Sequence, residues 1–226
     1  MTADRQVADS VPVEASITDQ PADAHVFQVR SSEPAYDGKI ILVRRDIVAM
    51  PGGGESQRDV VEHPGAVGIV ALDDDDRVLM VRQYRHPVRR HLWELPAGLL
   101  DVAGEPPLDA AHRELAEEAG LRARDWRVLV DALNSPGMSD EAVRIYLARG
   151  VEEIGADERH NGEDEEAEMT TAWVPLDEAV RRVLAGDVEN GMAVMAVLAT
   201  AWARSTGYAE LRPADAPWPA KPSHAG

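Results

Sequence analysis

The segment from Gly98 to Leu121 constrains the fold most, because it predicts one helix with two chemically different sides. It reads GLLDVAGEPPLDAAHRELAEEAGL and contains six acidic residues and a single arginine. Pro107 suits the first turn of a helix, where a missing N–H removes no hydrogen bond, and Gly120 suits the C-terminal end. The sequence therefore predicts a helix over residues 107–119.

The two sides of this helix differ in charge. At about 100° per residue, the apolar side chains share one side: Leu108, Ala111, Leu115 and Ala119. Glu114, Glu117 and Glu118 share another arc, where like charges one turn apart repel by about 0.2–0.5 kcal/mol per pair. Two interpretations stay open, a solvated surface or a site for a hard divalent cation with oxygen ligands.

Composition excludes several classes of function. The 226 residues include no cysteine, which excludes disulfides and thiolate metal sites. The net charge of −18 and the 4% aromatic content argue against a nucleic-acid partner. A bound divalent cation would reverse the local sign and admit a small anionic ligand. Neither a signal sequence nor a membrane-spanning apolar run is evident, so we expect a cytoplasmic protein without a membrane partner.

The chain divides into four predicted parts. Residues 1–24 are polar and aperiodic and predict a flexible tail, whereas residues 25–63 predict a small β subdomain with two strands around the turn PGGG. Residues 64–208 interleave strands and helices and form the main domain, and residues 209–226 form a Pro-rich, extended C-terminal tail. Some neighbouring strands are joined by hairpins, which predicts an α/β fold with a mixed sheet.

The acidic segment resembles the Nudix box, G-x5-E-x7-R-E-U-x-E-E-x-G-U, where U is aliphatic. The matching residues are Gly98, Glu105, Arg113, Glu114, Leu115, Glu117, Glu118, Gly120 and Leu121. Six residues rather than five separate Gly98 from Glu105, so the loop before the helix carries one insertion. The resemblance implies a Nudix-type α/β/α sandwich with a mixed sheet, preceded by the small N-terminal β subdomain.

Nudix proteins hydrolyse a diphosphate linked to another moiety, using Mg²⁺ or Mn²⁺ held by the box. The resemblance implies that Glu114 and Glu118 are the main metal ligands, with Glu117 and the carbonyl of Ala97 as further ligands. It also implies that Arg113 orients the carboxylates by ion pairing, so Arg113 and Glu117 count among the catalytic residues. The metal would neutralise diphosphate oxygens and activate a water molecule.

The flanking sequences LWELPAG, QYRH and SPGMSDE, with Pro136 fifteen residues past Leu121, resemble the ADP-ribose pyrophosphatase branch. This resemblance covers about Lys39 to Gly207 and implies hydrolysis of ADP-ribose to AMP and ribose 5-phosphate by water attack on phosphorus. Two alternatives stay open: another nucleoside diphosphate sugar such as GDP-mannose, and a Nudix-fold module that senses ADP-ribose without cleaving it. The module is disfavoured because all four box glutamates are present.

One dense basic cluster occurs in this acidic chain, and it precedes the box: Arg82, Arg85, His86, Arg89, Arg90 and His91. We predict that Arg85 and Arg82 contact phosphate, the alternative being that these cations only pair with surface acids. Glu94 is predicted to accept hydrogen bonds from a ribose or base. Gly137 and Ala97 complete the predicted substrate-binding set.

The catalytic base and the oligomeric state rest on resemblance alone. In related ADP-ribose hydrolases a glutamate from a mobile loop late in the chain deprotonates the attacking water, and EEAEM occupies that place. We select Glu166, with Glu165 second and Glu168 third. The subdomain over residues 25–63 implies a homodimer in which each subunit contributes to its partner's pocket.

Overall fold

The computed structural model describes residues 27–155 and 169–220. These residues form two sheets and three helices. The strands are β1 Val29–Asp37, β2 Leu42–Ala49, β3 Glu55–Glu62, β4 Ala66–Leu72, β5 Arg77–Arg85, β6 Arg90–Glu94, β7 Ala97–Leu99, β8 Leu121–Leu133, β9 Ala142–Glu153, β10 Thr170–Pro175 and β11 Arg212–Pro213. The helices are α1 Pro107–Ala119, α2 Leu176–Ala185 and α3 Gly191–Ser205.

The main sheet has the strand order β10-β5-β4-β9-β8-β11, with β6 paired to β5 and β7 to β4. β4 and β9 run parallel, and the other pairs are antiparallel, so the predicted mixed sheet is confirmed. Every residue of β4 is buried, because β4 lies centrally and is covered on both faces. The hairpin of β4 and β5 has a single registered pair, Leu72 with Val78, beyond which the strands take other partners.

Two hydrophobic layers enclose the sheet, as the alternation of strand side chains requires. Ile69 and Tyr146 face α1, where Leu115 is fully buried. Val70 and Ile145, their neighbours in sequence, face the opposite layer formed by α2 and α3. The α/β/α sandwich expected from the sequence is therefore confirmed. Within the described ranges, no helix is both long and apolar enough to cross a membrane.

The N-terminal sheet has the order β1-β2-β3, with all pairs antiparallel. The sequence predicted β2, β3 and the glycine turn, in which Gly52 and Gly53 have φ of 95° and 93°. It did not predict β1, because the nine residues VRSSEPAYD lack apolar alternation, and all nine are exposed. The division at residue 63 stays a prediction.

The end of β3 is hydrogen-bonded to the loop between β8 and β9. The Val61 N–H donates to the carbonyl of Met138 at 2.8 Å, and the His63 N–H donates to Oδ1 of Asp140 at 2.9 Å. The N-terminal sheet is thus bonded directly to the main domain.

The segment after α3 is more structured than the extended tail predicted for residues 209–226. β11 pairs with the edge strand β8, and Arg144 Nη1 donates to the carbonyl of Ala216 at 2.7 Å. The Arg144 guanidinium also lies 4.9 Å from the ring centroid of Trp218. Composition could not predict this docking, because Arg144 lies 72 residues before its partner Ala216.

Candidate active site

Helix α1 has the predicted bounds and presents its acidic arc to β7. Gly120 ends the helix in the left-handed conformation at φ 62°, and its N–H donates to the carbonyl of Ala116 at 3.0 Å. Ala110, Ala111 and Leu115 are buried against the sheet. The glutamate arc is therefore fixed by the packing of the opposite side.

Arg113 connects three glutamates of this region. Its Nε and Nη2 donate to the two carboxylate oxygens of Glu105 at 3.1 and 3.0 Å. Its Nη1 donates to Oε1 of Glu114 at 2.6 Å and to Oε2 of Glu117 at 3.2 Å. The hydrogen bonds from Arg113 lower the pKa of Glu105, and the same bonds raise the pKa of Arg113. Despite the inserted loop residue, Glu105 is within the network.

Gly98 allows close approach of the helix to β7. A Cβ at position 98 would overlap the carboxylate of Glu114, so a side chain there would displace this carboxylate. One turn further along the helix, Oε2 of Glu118 accepts a hydrogen bond from the Ala97 N–H at 3.0 Å. Glu114 and Glu118 thus reach two adjacent residues of β7, Gly98 and Ala97.

A cavity of about 540 Å³ adjoins this stretch of β7. Of the predicted substrate residues, Arg85, Glu94 and Ala97 line it. Arg82 lies on β5 opposite Thr170, and Gly137 lies in the loop after β8; neither lines the cavity. Sequence reasoning missed several lining residues, among them His63, Asn134, Ser135, Glu141, Asn190 and Met192.

Arg85 and Glu94 form a two-bond ion pair at the cavity wall. Arg85 Nε donates to Oε1 at 2.9 Å and Nη2 donates to Oε2 at 2.7 Å, and Glu94 is only 2% exposed. Gln83 Nε2 is a further donor to Oε2 at 3.4 Å. Arg90, from the same basic cluster, pairs with the surface acid Glu189. The cluster therefore divides between the cavity and the surface.

The loop between β8 and β9 forms another wall. Ser135 has φ of 50°, and its carbonyl accepts hydrogen bonds from the N–H groups of Met138 and Ser139 at 2.9 and 3.0 Å. The Gly65 N–H donates to Nδ1 of His63 at 3.1 Å, which places the ring proton on Nε2. The sequence analysis used SPGMSDE only as a mark of the branch and did not predict its meeting with His63, because the two come together only after β3, β8 and β9 are aligned.

The predicted bases Glu165, Glu166 and Glu168, like the predicted tail of residues 1–24, lie outside the described residues. Their roles stay predictions from the sequence.

Comparison with known proteins decides the family. The family model described as NUDIX domain matches residues 62–195. The chain belongs to the Nudix family. It is 55% identical over 199 residues to the ADP-ribose pyrophosphatase of Mycobacterium tuberculosis, covering 88% of this chain and 94% of that protein. The predicted resemblance to this branch is therefore confirmed.

This Nudix protein is also similar to another sequence relative and to a solved structure. It is 34% identical over 166 residues to the methanol dehydrogenase activator of Bacillus methanolicus, covering 74% of this chain and 88% of that protein. A solved structure described as an ADP compounds hydrolase matches with a TM-score of 0.68 at 20% identity, covering 81% of this chain and 97% of that one. This last likeness shows the fold alone.

Nudix ADP-ribose pyrophosphatases depend on a divalent metal. Among residues 27–155 and 169–220, no group of three or more His, Cys, Asp or Glu side chains is arranged as a metal site. Two observations nevertheless fit a hard cation: Glu114 and Glu118 converge on Ala97 and Gly98, and their donors are carboxylate oxygens. Glu114 and Glu117 both accept hydrogen bonds from Arg113. The ligand roles of these two residues, of Glu118 and of the Ala97 carbonyl stay predictions.

The close contact at Gly98 generates a test. Gly98→Ala should displace the Glu114 carboxylate and weaken Mn²⁺ binding by about ten- to a hundredfold, the effect typical of disturbing the support of a metal ligand. Mn²⁺ affinity is measured by electron paramagnetic resonance. Gly54→Ala is the matched control, since a Cβ there meets nothing within 4 Å. Equal affinity in both variants would contradict this use of Gly98.

Proposed function

We propose that this Nudix protein hydrolyses ADP-ribose to AMP and ribose 5-phosphate by attack of water on phosphorus. The observation that carries the choice of substrate is the 55% identity over 88% of the chain to a protein named ADP-ribose pyrophosphatase. The geometry supports cleavage of a diphosphate, because Arg85 lines the same cavity as Ala97 and Gly98, the two β7 residues that Glu118 and Glu114 reach. Its volume of about 540 Å³ is within the range of small-molecule sites.

The proposed cofactor is Mg²⁺ or Mn²⁺, held by Glu114 and Glu118 with Glu117 and the Ala97 carbonyl as further ligands. When bound, the cation would neutralise diphosphate oxygens and lower the pKa of a water molecule. Arg113 keeps the glutamates oriented through its four hydrogen bonds.

Arg85 is the proposed phosphate contact, since its guanidinium can bind phosphate oxygens through parallel hydrogen bonds. It lies at the cavity wall, next to the residues that meet the box glutamates. Arg82 and Gly137 do not line the cavity and remain sequence-based predictions.

Incubation with Mg²⁺ and ADP-ribose tests this function directly. We expect AMP to accumulate, as followed by chromatography, and kcat/KM for ADP-ribose to exceed that for GDP-mannose by at least about tenfold. Faster cleavage of GDP-mannose would assign another nucleotide sugar. Binding of ADP-ribose without cleavage would instead support the sensing module.

We also propose Glu166 as the general base. Glu166→Gln should lower kcat by about a hundredfold or more while Mg²⁺ binding is kept, because a positioned base contributes about 10²–10⁴ in rate. Glu165→Gln and Glu168→Gln, measured in parallel by the AMP assay, are the matched controls. Near-normal turnover of Glu166→Gln would move the role to whichever control loses activity.

We further propose a homodimer formed through the N-terminal sheet. All nine residues of β1 are exposed, including Tyr36 at 60%, so this strand lacks a cover within the described chain. Sedimentation equilibrium should give twice the chain mass of 24.6 kDa. Tyr36→Glu should shift the equilibrium to monomer, whereas Leu184→Glu on α2, where Leu184 is 74% exposed, should not. A monomeric wild type would contradict the proposal.

A further inference from the structure

Glu94 lines the cavity, and its carboxylate accepts hydrogen bonds from the protein itself; its contact with a ribose or base stays a prediction. Glu94 is 2% exposed, and each of its carboxylate oxygens accepts a hydrogen bond from Arg85, at 2.9 and 2.7 Å. Gln83, also buried, adds a third donor at 3.4 Å. A buried carboxylate is tolerated when it is paired in this way. Both oxygens of the Glu94 carboxylate are thus bonded to Arg85.

Both residues line the cavity, and Arg85 is the more accessible of the two, since its side chain is 42% exposed against 3% for Glu94. An arginine side chain has many rotamers and loses that freedom when it binds phosphate, unless it is already held. The two parallel bonds to Glu94 fix both the position and the plane of the guanidinium. Arg85 is therefore pre-oriented before any ligand arrives.

The same short segment also supports the box glutamates. Glu94 ends β6, and three residues later the Ala97 N–H donates to Glu118 at 3.0 Å. Between them, the Pro96 carbonyl accepts a hydrogen bond from Ile69 of the buried strand β4 at 2.8 Å. The segment from Glu94 to Gly98 thereby sets the distance between the Arg85 guanidinium and the acidic helix.

We propose that Glu94 is a positioning residue that aims Arg85 at the diphosphate of the substrate. This proposal rests on the proposed function only because it requires a substrate that carries a diphosphate. It does not depend on which sugar is attached. Glu94 then acts through Arg85, and its contribution to binding vanishes when Arg85 is absent.

A double-mutant cycle tests this proposal with Glu94→Gln, Arg85→Gln and the double variant. The probes are the best substrate found among diphosphate compounds, for KM and kcat, and magnesium pyrophosphate, for Kd by calorimetry. Each single variant should raise KM and Kd by about ten- to a hundredfold, the effect of losing hydrogen bonds to a charged group, with kcat changed much less. The double variant should match Arg85→Gln.

Asp131→Asn is the matched control, since Asp131 forms a comparable two-bond pair with Arg144 at 2.8 and 3.0 Å and does not line the cavity. It should lower Tm and leave KM unchanged. If Glu94→Gln does not fold, Arg85→Lys is tested in its place, because lysine keeps the positive charge but cannot form the two parallel hydrogen bonds to Glu94. That variant should weaken pyrophosphate binding about tenfold.

Three results would overturn the proposal. Additive losses in the double variant would show that Glu94 contacts the ligand directly. A lower Tm for Glu94→Gln with unchanged KM and Kd would show that the Arg85–Glu94 pair is purely structural. Unchanged pyrophosphate binding by Arg85→Lys would show the same. Failure of the wild type to cleave ADP-ribose would refute only the proposed substrate, since pyrophosphate binding still reports on Glu94.

Discussion

The acidic side of α1 depends on one cation, Arg113. Three glutamates within a short stretch would repel one another, and a helix that carried them without compensation would be destabilised. Arg113 donates to Glu105, Glu114 and Glu117, and thereby joins the loop before the helix to the helix itself. The hydrogen bonds from this guanidinium lower the pKa of Glu105, so Glu105 stays charged to a lower pH than an unpaired glutamate does. The remaining glutamate, Glu118, bonds to the Ala97 backbone.

Around this network, β7 and the residues before it hold acidic side chains near a basic one. On one side the Glu114 carboxylate lies against Gly98, and Glu118 accepts a hydrogen bond from the Ala97 N–H. On the other side Arg85 is held by Glu94. Negative groups suited to a cation and a positive group suited to phosphate are therefore fixed relative to one another by a few residues of backbone. Such an arrangement matches a substrate that is itself bound as a metal–diphosphate complex.

Local chemistry explains what the sequence could predict. Pro107 and Gly120 fixed the bounds of α1, and the spacing of the glutamates identified the family, because both signals lie within one short stretch. β1 has no apolar alternation and could not be found in this way. The cavity residues His63 and Asn190 were missed for another reason: they are far apart in sequence and meet only through the sheet topology.

The docking of the segment after α3 has a consequence for the order of events during synthesis. Arg144 is almost fully buried in the centre of the sheet, and two of its acceptors are the carbonyls of Ala216 and Pro217, more than seventy residues later. Until the ribosome has released those residues, the guanidinium has only part of its final set of partners. The β8–β9 ribbon therefore completes its native surroundings only after translation of the whole α2–α3 region.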